Sequence, residues 1–179
     1  MTLPPPPPAV PGDAKDWTWV LHRPCPDCGF DASTVDPAQV GAMVRDNAAS
    51  WGPVLARPEA RTRPDAAIWS PLEYACHVRD VLRLYDERLH LMLGQDDPLY
   101  PNWDQDASAV EGRYDTQDPD RVAAEVRTAG EQVALAFDGL SAEMWQRRGR
   151  RSDGASFTVD TFARYFLHDL VHHRYDVRG

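Results

Sequence analysis

The strongest structural signal in the chain is a helix with well-defined ends in the segment WSPLEYACHVRDVLRLYDERLHLMLG, residues 69–94. Ser70 can cap the first turn, Pro71 suits the first helical position, and Glu73 completes a capping box. Gly94 is a typical C-terminal stop. One arc of this helix is apolar and holds Tyr74, Val78, Val81, Leu82, Tyr85, Leu89 and Leu93. A helix of this kind needs other elements to cover that arc.

Three further segments carry helical patterns. One opens at Asp36 and Pro37, a third helix opens at the Asp-Pro pair of residues 118–119, and the last helix runs from about residue 158 to 176. No strand-length alternating run competes with them, although glycines in residues 149–154 suggest a turn or small hairpin. The chain is therefore predicted to be all-α, a four-helix bundle with a long crossover connection between helices 2 and 3.

The connection between the second and third helices is unusually long, at more than 20 residues. It holds Tyr100, Trp103 and Tyr114, and a disordered linker normally lacks such aromatic residues. We expect it to be ordered, with Trp103 in the wall of a pocket. Tyr165 and Tyr175, on the last helix, are further candidates for that wall.

Length and charge limit the classes of function. The chain has 179 residues, 42% of them hydrophobic, enough for one domain with a real core. The formal charge of −9 disfavours general nucleic-acid binding, and no apolar run is long enough to span a membrane. We expect a cytoplasmic protein with a proline-rich leader and N-terminal extension over residues 1–35 and the bundle over residues 36–179.

Three histidines lie close together in FLHDLVHHRYDV, residues 166–177. His168 and His172 are one turn apart and project from the same helix face. His173 points about 100° away from His172 and is expected at the surface or behind a ligand. Such a pair, without the glutamate of an HExxH motif, is more often structural than metal-binding. A third ligand would change that, and His77 at the edge of the apolar arc is the natural candidate.

The segments WSPLEYACHVRD and HDLVHH, with YPNWDQDA between them, resemble the DinB-like superfamily, which includes mycothiol-dependent maleylpyruvate isomerases and bacillithiol S-transferases. The resemblance covers about residues 36–178. It implies a divalent metal held by one residue of the second helix and two of the fourth, which here are His77, His168 and His172. Some relatives carry a carboxylate at the first fourth-helix position, so His168 would make an all-histidine set.

The resemblance also implies a chemistry. Zinc is the preferred ion, with nickel, iron or manganese as alternatives, and such an ion activates a bound thiol or water. The chain is thus expected to be a metal-dependent thiol transferase or isomerase of the mycothiol type. Its partners would be a small electrophile and a low-molecular-weight thiol, and the chain could form a homodimer. Metal-dependent hydrolysis at the same site and a non-catalytic metal-binding or ligand-binding bundle are the alternatives, and no further catalytic residue is assigned.

Four carboxylates lie near the predicted ligands in the sequence and could orient their imidazoles by accepting a hydrogen bond from the second ring nitrogen. They are Glu73, Asp80, Asp169 and Asp176. An ordinary role on the helix surface is at least as consistent with each of them.

Cys25 and Cys28 form a CxxC followed by Gly29, which is the form of one half of a zinc knuckle. The second half is missing, since His22 could contribute but no fourth ligand is apparent. A redox pair is another interpretation, although no βαβ pattern supports it. A tight turn with two buried thiols is the favoured interpretation.

Overall fold

A computed structural model describes Val10 and residues 16–179. The predicted proline-rich leader lies almost entirely outside these residues. Within them, five α-helices account for most of the regular structure: α1 (Val40–Leu55), α2 (Pro71–Gly94), α3 (Gln105–Glu111), α4 (Pro119–Asp138) and α5 (Val159–Asp176). No helix in this described part of the chain is both long and apolar enough to cross a membrane.

Three of the four long helices begin at the residues that the sequence predicts, and α1 begins three residues after its predicted start. Ser70 and Glu73 form a full capping box at the start of α2, and the Asp118 side chain accepts from the backbone N–H of Arg121 at the start of α4. Asp36 caps a short 3-10 turn, Pro37–Gln39, that leads into α1. These local bonds fix where each helix enters the bundle.

The helices α1, α2, α4 and α5 pack around one hydrophobic core. α4 packs against both α1 and α2. Gly130 of α4 allows α1 to approach closely, because a Cβ at this position would lie only 2.5 Å from the Cβ of Ala48 in α1. Between α2 and α5, the Tyr85 ring stacks on Phe162 and Phe166, with centroids 4.6 and 4.5 Å away. This aromatic stack holds α5 against α2 in the part of the bundle where the histidines lie.

A small sheet departs from the all-α prediction. It has three strands in the order β1 (Leu99–Tyr100), β2 (Arg148–Arg151) and β3 (Ser156–Thr158). β1 pairs parallel with β2, and β2 pairs antiparallel with β3 across a turn in which Gly154 has a φ of +99°. The small hairpin expected near residues 149–154 is therefore present. Its short strands have too few residues for an alternating pattern to be visible in the sequence.

The connection between α2 and α4 contains regular structure, namely β1, α3 and the 3-10 turn Tyr114–Thr116. Tyr100 and Tyr114 are buried in the core cluster. α3 begins where the Asp104 side chain accepts from the backbone N–H groups of Asp106 and Ala107. The indole of Trp103 donates to Ser108 Oγ at 2.7 Å, which fixes this ring at the edge of the bundle.

The N-terminal extension packs directly on α5. Its 3-10 helix Thr18–Leu21 contacts α5, and Val20 and Cys25 are buried. Arg164 of α5 donates both to Asp160 and to the backbone carbonyl of Ala32. The described part of the extension is thus joined to the helix that carries the histidines.

Candidate metal centre

α5 presents two ligand pairs of i,i+4 spacing, offset by one residue. His168 and His172 form one pair, with ring centroids 5.1 Å apart. Asp169 and His173 form the other, with 3.4 Å between Asp169 Oδ1 and His173 Nε2. Since successive side chains on a helix diverge by about 100°, the two pairs point towards different neighbours.

His77 of α2 meets the second pair. Its Nε2 lies 3.7 Å from Asp169 Oδ1, and its ring centroid is 4.7 Å from that of His173. One ligand atom from each of these three residues lies within 4.8 Å of the others. Ligand atoms around a tetrahedral ion at 2.0–2.1 Å are roughly 3.4 Å apart, so these separations suit a shared cation.

His77 is buried without the hydrogen bonds that a buried imidazole normally makes. Its side chain is 1% exposed, and neither ring nitrogen has a hydrogen-bond partner among the described residues. Trp103 stacks on it at 5.3 Å, and Trp69 lies 5.4 Å away on another side. Because buried polar atoms are nearly always satisfied, the two bare nitrogens indicate a missing partner.

Protonation within this group also suits a cation. Burial lowers the pKa of His77 below its usual range, so the imidazole is neutral at pH 7. Burial raises the pKa of Asp169, but His173 and His77 more than offset this, and the net shift is downward. A neutral imidazole and an ionised carboxylate are the forms that bind a metal.

Asp176 orients His173. Its Oδ2 lies 3.0 Å from His173 Nδ1, while Nε2 of the same ring faces Asp169. A carboxylate on the far nitrogen fixes the tautomer and makes the imidazole a better ligand. Of the four carboxylates predicted to support the ligands, Asp176 is in this position.

His168 and His172 face the N-terminal extension instead. Their ring nitrogens and the sulfurs of Cys25 and Cys28 form a second group with ligand atoms within 4.8 Å of one another. Burial, followed by the nearby His172, lowers the pKa of His168 to about 4. Burial raises the pKa of the Cys28 thiol to about 11.

The structure therefore divides the predicted ligand set. His77 belongs to one group, and His168 with His172 belongs to the other. His173, which was expected at the surface or behind a ligand, lies in the first group with its side chain 19% exposed.

The remaining predicted site residues are dispersed. Asp169 is itself in a ligand group, while Glu73 is bound by Arg63 and by the backbone N–H of Ser70. Asp80 accepts from Arg79 and from the hydroxyl of Tyr114. These two carboxylates serve helix capping and the packing of the α2–α4 connection.

A cleft of about 1310 Å³ opens beside α5, and both ligand pairs of α5 line it. Of the three aromatic residues predicted to line a pocket, Trp103 and Tyr165 line this cleft. Tyr175 is 54% exposed and is not among the lining residues. Aromatic rings of Trp69, Tyr74 and Tyr85 form further parts of the wall. A small molecule in this cleft would reach Asp169 and His173.

A comparison against known families identifies the family of this chain. The sequence model of the DinB superfamily matches residues 42–177, most of the chain. The protein belongs to the DinB superfamily. The family match begins after Asp36 and spans α2 to α5, so it includes His77 and both pairs on α5.

A solved structure has a similar fold. It is YfiT from Bacillus subtilis, described as a probable metal-dependent hydrolase with an unusual four-helix bundle topology. The two chains share 18% identity with a TM-score of 0.66, over 79% of this chain and 82% of YfiT. At that identity the likeness establishes the four-helix-bundle fold alone. No curated protein matches the sequence significantly.

Proposed function

We propose that this DinB-superfamily protein is a metal-dependent enzyme whose divalent ion is held by His77, Asp169 and His173. The observation that carries the proposal is the buried imidazole of His77, whose two nitrogens have no partner among the described residues. Asp169 Oδ1 is likewise buried without a hydrogen bond. A cation between these atoms would satisfy both residues at once.

The number of ligands favours catalysis over a structural role. Three protein ligands with an open position are typical of catalytic zinc-type sites. An ion held there would lower the pKa of a bound water or thiol and so supply a nucleophile at neutral pH. Asp169 and His173 line the cleft, so the open side of this group faces the space that a substrate would occupy.

The wall of the cleft suggests the substrate class. Arg88 is 5% exposed, donates to the carbonyl of Pro101 and has no carboxylate within ion-pair distance in the described chain. Arg151 lines the same cleft and pairs with Asp153. With aromatic rings beside them, these guanidinium groups favour a small, partly apolar electrophile that carries an anionic group.

Two nucleophiles fit this site, and each has its own support. The resemblance to mycothiol-dependent isomerases and bacillithiol S-transferases favours a low-molecular-weight thiol, giving S-transfer or isomerisation. The description of YfiT as a probable metal-dependent hydrolase favours water as the second candidate. We place the thiol reaction first, because the large cleft has room for both a thiol co-substrate and an electrophile.

Metal analysis of protein purified without a histidine tag tests the ligand set. We expect Asp169→Asn and His77→Ala each to lower metal content by one equivalent relative to the wild type. His90→Ala is the matched control, because His90 lies on the exposed side of α2 outside both groups. Unchanged metal content in both ligand variants would refute the assignment.

Activity is then measured on two panels. The first pairs thiols with small anionic electrophiles, and the second contains esters and amides without a thiol. Turnover that is lost in Asp169→Asn and retained in His90→Ala supports the enzyme, and the responding panel identifies the nucleophile. A fully metal-loaded protein that turns over neither panel would instead support a non-catalytic bundle.

A further inference from the structure

We propose that Cys25, Cys28, His168 and His172 form a second metal site, a closed Cys2His2 zinc site that fastens the N-terminal extension to α5. The proposal does not depend on the proposed function, because the two groups share no residue. It assigns a structural role to two histidines that resemblance alone would place in the catalytic site.

The distances in this group fit zinc. Sγ of Cys25 lies 3.6 Å from Nδ1 of His172, and all four ligand atoms lie within 4.8 Å of one another. With Zn–S at 2.3 Å and Zn–N near 2.1 Å, tetrahedral geometry puts sulfur and nitrogen about 3.6 Å apart. Only small side-chain movements are therefore needed to close the site.

The backbone around the cysteines supports the same geometry. The N–H of Gly29 donates to the carbonyl of Cys25 at 2.9 Å, and the N–H of Cys25 donates to the carbonyl of Phe30 at 2.8 Å. Gly29 has a φ of +75°, which closes the turn directly after Cys28. This turn directs both sulfurs towards α5.

The histidine side of the group contains an unsatisfied atom. His168 is 4% exposed, and its Nε2 is buried without a hydrogen-bond partner among the described residues. Trp17 lies against both imidazoles, with ring centroids 5.5 Å from His168 and 5.2 Å from His172. Phe30 packs edge-on against His168 at 5.8 Å. These rings cover part of the ligand group with apolar surface.

Charge and ligand type distinguish this site from the His77 group. Two thiolates and two neutral imidazoles around a divalent zinc ion give a net charge of zero, which lowers the cost of burial. Thiolates select soft ions such as zinc, and four protein ligands leave no position for a substrate. The site is thus suited to holding structure together.

The position of the site explains what it would hold. The extension has no long helix of its own, and its described contacts with α5 include the 3-10 helices Thr18–Leu21 and Ala32–Thr34 and the approach of Cys25 to His172. An ion bound to Cys25 and Cys28 on one side and to His168 and His172 on the other would link residues far apart in the sequence. Binding releases the two thiol protons to solvent, so the affinity should rise with pH. The four ligands come together only when the extension packs on α5, so zinc binding should also be coupled to folding.

Cobalt substitution tests the proposal in the full-length protein. Apo protein is loaded with Co²⁺, and its absorption is compared with that of Cys25→Ser/Cys28→Ser, His168→Ala and the controls His90→Ala and Cys76→Ala. We expect an intense thiolate-to-cobalt charge-transfer band in the wild type and controls, and its loss in the double cysteine variant. In that variant, metal binding at the His77 group should persist, whereas Asp169→Asn should show the opposite pattern.

A second measurement needs no variant and so does not depend on whether the variants fold. Zinc-loaded wild-type protein is titrated with an organomercurial while released zinc is followed with a chromophoric chelator. We expect one zinc ion to be released as Cys25 and Cys28 are modified. Thiol modification without zinc release, a cobalt spectrum without the charge-transfer band, or a Cys25–Cys28 disulfide in protein purified under air would each overturn the proposal.

Discussion

His168 and Asp169 are consecutive residues of α5, and their side chains belong to different groups of potential metal ligands. His168 faces Cys25, Cys28 and His172, whereas Asp169 faces His77 and His173. The rotation of about 100° between neighbouring helix positions is enough to separate them. One helix can therefore support a closed, neutral site on one side and an open, three-ligand site on the other.

Removal of the metal should destabilise the fold mainly through loss of the zinc ion proposed to be bound by Cys25, Cys28, His168 and His172. Zinc present at about a thousand times its dissociation constant stabilises the folded state by about 4 kcal/mol. For a chain of this size that corresponds to a decrease in Tm of roughly 10 °C on chelation. Differential scanning calorimetry with and without a strong chelator measures this change.

The Cys25→Ser/Cys28→Ser variant is the control for that experiment. Without chelator, its Tm should already be lower than that of the wild type. Addition of the chelator should lower it only slightly more, because only the metal at the His77 group remains to be removed. If the variant and the wild type lose the same amount of stability on chelation, the stabilising ion lies elsewhere.

Asp176→Asn should weaken metal binding at the His77 group. The Asp176 carboxylate lies 3.0 Å from His173 Nδ1, and an amide in its place would lose the charge that makes the imidazole a stronger ligand. Loss of such an outer partner typically costs roughly 10–100-fold in metal affinity. Competition with a chromophoric chelator gives the dissociation constant.

The thiolate site provides the internal reference for the same variant. Asp176 also lies 3.8 Å from His172 Nε2, which is too far for a hydrogen bond, so the cobalt charge-transfer band should be nearly unchanged. An affinity at the His77 group equal to that of the wild type would show that Asp176 does not support His173.

Ser70→Ala should destabilise the fold without removing metal. Ser70 is 2% exposed, and its hydroxyl accepts from the backbone N–H of Glu73, the N3 residue of the capping box. Loss of an N-cap oxygen costs about 1–2 kcal/mol, or a decrease in Tm of several degrees. Ser70→Thr, which keeps the hydroxyl, should recover most of this loss. Metal loss at unchanged Tm would contradict the purely structural role.

Helix starts were predictable because their signals are local in the sequence. The capping box of Ser70, Asp36 before the 3-10 turn that leads into α1, and Asp118 before α4 act within a few residues, and the structure confirms these three caps. The three-stranded sheet was not predicted, because β1 and β2 pair across about fifty residues of sequence. Register between such distant segments leaves no local pattern.

The two ligand groups show the same limit. The i,i+4 spacing in the segment HDLVHH fits His168 with His172 and equally fits Asp169 with His173. The sequence alone favours the all-histidine pair, and only the rotation of α5 in the structure shows that Asp169 and His173 face His77. His22 is the one histidine near the cysteine motif in the sequence, whereas the two histidines opposite the thiols lie more than a hundred residues later. Both groups depend on packing between distant elements.

Gly29→Ala should weaken the thiolate site through the backbone alone. Gly29 has a φ of +75°, and a Cβ at this position would meet no atom within 4 Å, so no steric clash is involved. A left-handed conformation costs a residue with a Cβ about 1–2 kcal/mol, which is roughly a tenfold loss of zinc affinity if the turn must form on binding. Gly29→Asn should lose less, because asparagine tolerates this region better, and Gly29→Val should lose more. Zinc affinities that do not follow the order Gly, Asn, Ala, Val would show that the turn at Cys28 is not part of the site.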